Sequence, residues 1–148
     1  MNKLVFAAIS AFTLPFAAFA QKPINTINGE IPPGVVRGLV NTKTLIDEIR
    51  PDGNRVLSVR GTRLPGTRAP IHIHEYSGMT CLFSGQLVFR SKGKPNKVFG
   101  TGDCYYMPAN TPMSAANRGS EPVNLVDIFV LPIGESPAKV IETGFSSR

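Results

Sequence analysis

The stretch Gly66-Thr67-Arg68-Ala69-Pro70-Ile71-His72-Ile73-His74 decides the reading, because it holds both histidines of a 148-residue chain. In an extended strand, residues two apart project from one face, so His72 and His74 turn both imidazoles to the same side. A rigid strand presenting two neighbouring imidazoles is one way to hold a metal ion. The same pair also serves as hydrogen-bonding groups of a polar pocket. The tripeptide alone does not choose between these.

Outward from it, short apolar stretches recur: Val35–Val40, Val56–Val59, Ile71–His74, Thr80–Phe83, Leu87–Phe89, Cys104–Met107 and Val123–Leu131. Turn residues separate them at Pro51-Asp52-Gly53, Gly61, Gly66, Gly85, Gly93–Asn96, Gly100–Asp103 and Asn117–Gly119. Many short strands punctuated in this way predict an all-β antiparallel sandwich or barrel. Only Asn41–Arg50 has the composition for a short helix. Residues 21–33, with Pro23, Pro32 and Pro33, read as a polar arm.

The first twenty residues form a separate unit. Met1-Asn2-Lys3 gives a positive start, Leu4–Ala20 is free of charge, and Ala18-Phe19-Ala20 supplies a small-x-small cleavage site. The run is short for a membrane span and reads as a secretory signal, which places the mature chain in the periplasm or outside the cell with no membrane span of its own. The parts are then 1–20 signal, 21–51 arm and first strands, 52–133 barrel core, and 134–148 C-terminal segment.

Lys3 is the only charge in the leader, so the mature 128 residues carry +5 where the whole chain carries +6. Their basic residues are scattered, and Arg90, Lys92, Lys94 and Lys97 fall around a hairpin tip. A basic face with stacking aromatics is missing, which argues against nucleic acid as a partner. Two cysteines cannot build a four-cysteine zinc site, and the histidine spacing excludes a zinc finger. Cys81 and Cys104 are an even pair in an oxidising compartment, so a disulfide and two small buried side chains are both open.

Gly66, His72-Ile73-His74 and Gly85 resemble the first motif of the cupin superfamily. Gly102-Asp103, Pro108, Asn110 and Asn117 resemble its second, and the likeness spans roughly residues 52–133. The resemblance implies a double-stranded β-helix (a jelly-roll barrel), often dimeric, with a metal in its mouth. Carried over by position, the two motif-one histidines fall on His72 and His74. The family's glutamate position falls on Gly78, or on Met79 with a one-residue slip. The motif-two histidine position falls on Met113, and Asn110 replaces a motif glycine.

Three site readings follow. His72, His74 and Met113, with Met79, would form a soft site suited to copper in its reduced state. Glu75 or water would instead complete a site for iron, manganese, zinc or nickel, although Glu75 points away from its neighbour His74 in a regular strand. Alternatively the site holds no metal, and His72, His74, Tyr105 or Tyr106 and Asn110 line a polar pocket for a small molecule. Arg63 and Arg68, close to motif one, could engage a carboxylate ligand, although solvated arginines are commoner at strand ends. The leading expectation is an exported small-molecule-binding barrel with an altered metal site. The alternatives are a dioxygenase-like metalloenzyme and a dimeric structural module that exchanges its arm between copies.

Overall fold

The structure, a computed structural model, describes residues 22–145. The leader assigned to residues 1–20 lies outside them. The described residues contain no helix, and so none long and apolar enough to cross a membrane.

Five antiparallel strands form one sheet, in the order β2 (Val40–Ile49), β3 (Asn54–Arg63), β11 (Val123–Pro132), β6 (Gly78–Ser84) and β9 (Cys104–Met107). Against it lies a sheet ordered β1 (Val35–Val36), β4 (Thr67–Arg68), β10 (Met113–Ala116), β5 (His72–Ile73) and β12 (Lys139–Val140). There β10 also pairs with β7 (Leu87–Ser91), which pairs with β8 (Lys97–Phe99). The two sheets enclose one core as a jelly-roll barrel, the double-stranded β-helix expected from the sequence.

Period-two alternation explains the central strands. On β11, Val123, Leu125, Phe129 and Leu131 are buried and belong to the main core, while Asn124 and Val130 are exposed. Gly85, in the turn between β6 and β7, has φ +78°, and a Cβ there would lie 2.7 Å from Val123 Cγ2. Glycine alone suits both demands.

The helix expected over Asn41–Arg50 is corrected: Val40–Ile49 is strand β2, paired along β3 with two register shifts. It is an edge strand, exposed on both faces for nearly its whole length. Burial therefore imposes no alternation on it, and the pairing with β3 decides the conformation rather than local propensity.

A second, smaller core is separate from the main one. Ile27 from the arm, Ile71, Ile73 and Ile141 pack together there. Arm and C-terminal segment are tied to each other by the Ile24 amide donating to the Ile141 carbonyl at 2.9 Å. Asn28 donates from Nδ2 to the carbonyls of Ser91 and Lys94 and accepts from the Gly93 amide, which fixes the hairpin tip. The arm thus docks on its own chain.

Candidate functional site

Pro70 breaks the strand that would otherwise run from β4 into β5, and both pieces pair with β10: Arg68 opposite Ala116, His72 opposite Met113. Beyond β5 the chain continues to His74, whose carbonyl accepts the Asn110 amide at 2.7 Å. Both imidazoles line a cavity of about 230 Å³ between the sheets, their centroids 4.9 Å apart and their planes perpendicular.

Each ring is oriented by a backbone carbonyl. His72 Nδ1 donates to the Pro70 carbonyl at 2.8 Å, and His74 Nδ1 donates to the Pro137 carbonyl. A carbonyl only accepts, so in both rings the neutral form carries its proton on Nδ1 and leaves the Nε2 lone pair free. His74 is buried, and its Nε2 has no partner among the described residues. Burial pushes the pKa of His72 down to about 4, with His74 and Arg63 adding to the effect. Burial likewise lowers that of His74. At neutral pH both rings are uncharged acceptors.

The opposite wall comes from the five-stranded sheet. Arg63 on β3, Thr80 on β6, Tyr105 on β9 and Asp127 on β11 all reach the cavity. Thr80 Oγ1 donates to Asp127 Oδ1 at 2.6 Å. Burial raises the Asp127 pKa to about 6, with the Thr80 hydrogen bond and the Arg63 charge opposing it. Burial, reinforced by the Asp127 charge, raises the Tyr105 phenol above its ordinary value. The Tyr105 ring stacks on Phe89 at 4.4 Å. The Arg63 backbone is steadied by Asn117, whose Nδ2 donates to the Arg63 carbonyl at 3.1 Å.

Of the residues expected from sequence, the structure brings His72, His74 and Tyr105 together. Met113 is fully buried in the main core and does not line the cavity. Met79 is 39% exposed on the outer face of β6, opposite Tyr106. Asn110 sits in an exposed turn with φ +52° and serves the site through its backbone amide. Glu75 is exposed and lines a different cleft, beside Glu135. Arg68 is taken by Glu142, which leaves Arg63 as the arginine of the cavity.

Asp127 was missing from the expected set. Its signal is the alternation of β11: an acid stands at the inward phase between Leu125 and Phe129. Cys81 and Cys104, placed opposite each other on β6 and β9, form a disulfide.

The donor set does not close around a metal ion. At Gly78, where the family carboxylate would stand, a Cβ would lie 2.6 Å from the Phe129 ring, and that ring packs on His74 at 5.2 Å. Among the described residues, no three of His, Cys, Asp and Glu stand close enough to hold one ion. The two imidazoles suit a metal and their Nδ1 bonds orient them as ligating histidines are oriented, but no third His, Cys, Asp or Glu among the described residues joins them.

A family model described as "Cupin domain" matches residues 60–129, from within β3 to the middle of β11. Residues 60–129 of the chain form a cupin domain. Solved structures agree on the fold. A cupin 2 conserved barrel domain protein from Salinispora arenicola aligns with TM-score 0.52 at 15% identity, over 84% of this chain and 92% of that one. A protein with a double-stranded β-helix domain from Klebsiella pneumoniae aligns with TM-score 0.52 at 20% identity, over 73% and 91%. A DMSP lyase from Ruegeria pomeroyi aligns with TM-score 0.53 at 20% identity over 67% of this chain, which spans 50% of the lyase. No curated protein sequence matches the chain.

Proposed function

We propose that this chain is an exported small-molecule-binding protein whose ligand sits in the barrel cavity and gives hydrogen bonds to His72 and His74. The observation that carries the reading is the buried Nε2 of His74, an acceptor with no partner among the described residues. A buried polar atom left unpaired costs about 1–3 kcal/mol, and a bound donor removes that cost. The walls around it are largely apolar, with Leu39, Val59, Leu125 and Phe129 among them. An apolar pocket with a few convergent polar groups is the usual form of a small-molecule site. The Cys81–Cys104 bond supports work in an oxidising compartment, in keeping with the leader read at residues 1–20.

A second reading places a metal on the same two lone pairs, with remaining ligands drawn from the bound molecule. The Nδ1–carbonyl bonds of both rings favour it, since ligating imidazoles are oriented in this way. Native mass spectrometry of the full chain expressed with its leader separates the two. The expected result is a chain beginning at Gln21 with a low-mass organic adduct, no stoichiometric metal, and loss of the adduct in the His72→Ala/His74→Ala variant. One metal ion per chain supports the second reading. An adduct that survives the double substitution overturns both.

A further inference from the structure

We propose that the ligand of this cavity is a small organic anion whose negative charge pairs with the Arg63 guanidinium and whose hydroxyl or amine hydrogen goes to His74 Nε2. The inference rests on the small-molecule reading above and narrows it to one chemical class.

Arg63 is 6% exposed and lines the cavity. Its Nη1 donates to the Arg37 carbonyl, while its Nε has no partner among the described residues. It forms no ion pair among them either. Burying a charge without a counter-ion is costly, so buried arginines are normally found with an acid. The other wholly enclosed arginine of this region, Arg68, obeys that rule with Glu142. Asp127 shares the cavity with Arg63, but its Oδ1 takes the Thr80 hydroxyl and it makes no ion pair with the guanidinium. Arg68 and Arg90 also leave Nε without a partner but carry acids on their terminal nitrogens, so the absent counter-ion is what sets Arg63 apart and calls for an anion.

The second polar gap has the opposite sense. His74 Nε2 is an acceptor and calls for an O–H or N–H donor. One molecule fills both gaps if it carries a carboxylate at one end and a hydroxyl or amine hydrogen a few atoms away. At about 230 Å³ the cavity falls below the usual range for drug-sized ligands, which limits the molecule to a short-chain or single-ring acid. The apolar walls, with the Phe129 ring among them, suit its carbon skeleton.

The test uses the whole mature chain, 15N-labelled, and follows the Arg63 Nε–H and the imidazole resonances by NMR. The titrants are 2-hydroxy-3-methylbutanoate and salicylate, each beside its neutral amide. The expected result is a saturable shift of Arg63 Nε–H with at least one acid, bound about tenfold or more tightly than its amide. Arg63→Met abolishes that preference, and Arg63→Lys retains part of it. Amides that bind as tightly as the acids, or acids that move the imidazoles and leave Arg63 Nε–H unmoved, overturn the anion assignment while the small-molecule reading stands. If no cavity resonance responds to any of the four titrants, both are overturned.

Discussion

Arg68 and Arg63 stand five residues apart in sequence and meet opposite fates in the barrel. Arg68, beside the smaller core, is 4% exposed and gives two hydrogen bonds to Glu142, at 2.7 and 2.6 Å. Glu142 also accepts the Ile71 amide at 2.7 Å, so the pair ties the C-terminal segment to the strand that leads into His72. Arg63 faces the cavity, where the Asp127 charge acts on it without forming an ion pair. The Arg68 charge is matched within the fold. The cavity leaves the Arg63 charge without an ion pair and the His74 acceptor without a donor among the described residues, which is how a binding site differs from a structural contact.

Removing each arginine sharpens that difference most. Arg68→Met strands a buried carboxylate, and the expected loss is about 3–5 kcal/mol of unfolding free energy in urea. Arg63→Met removes a buried charge that has no ion pair and is expected to fall within about 1 kcal/mol of the unaltered chain. Equal losses from the two would show that Arg63 has a partner inside the fold.

The carboxyls of the two regions respond to pH in opposite directions. Burial alone would raise Glu142, but the hydrogen bonds from Arg68 and the Ile71 amide outweigh it and hold the group below its ordinary value. Its contribution to stability is therefore present above that ordinary value and lost as pH falls through the lowered one. Asp127 is raised from 3.8 to about 6, so the folded state binds the proton more tightly and is destabilised as pH rises across that interval. Asp127→Asn should match the unaltered chain near pH 4 and exceed it by about 2–3 kcal/mol at pH 7. Urea midpoints at the two pH values check this; a difference that does not grow with pH contradicts it.

A fourth substitution probes why the cavity departs from a closed metal site. Gly78→Ala drives a methyl group into the Phe129 ring and should cost about 1–3 kcal/mol, relieved when Phe129→Leu is added. Thermal melts of the single and double variants decide it. Full additivity would mean that Phe129 does not fill the space at Gly78.

Much of this was legible in the sequence, for identifiable reasons. Cys104–Met107 has the same bounds as read from sequence and as strand β9, because turn residues flank a compact apolar run. The pairing of His72 and His74 on one cavity wall followed from period two. Strand β10 (Met113–Ala116) went unread: it is buried throughout, yet Met-Ser-Ala-Ala has neither alternation nor β-branching. Met79 and Asn110 were placed in the pocket by position in a motif. The phase of β6 turns Met79 outward, and a turn carries Asn110 to the surface. Asp127 was hidden by the apolar run around it, although the inward phase of β11 held the clue. That Arg68 and Arg63 differ was not readable at all, since Glu142 lies 74 residues beyond Arg68.

The central claim is that His72 and His74 present two neutral acceptors to the cavity. The imidazole 15N shifts of the full mature chain, followed from pH 5 to pH 8, test it most directly. The account predicts both rings neutral at and above neutral pH with the proton on Nδ1, and His72 uncharged across most of the range because its pKa is about 4. A His72 ring that titrates near its ordinary value of 6.5, or either ring with its proton on Nε2, would contradict it.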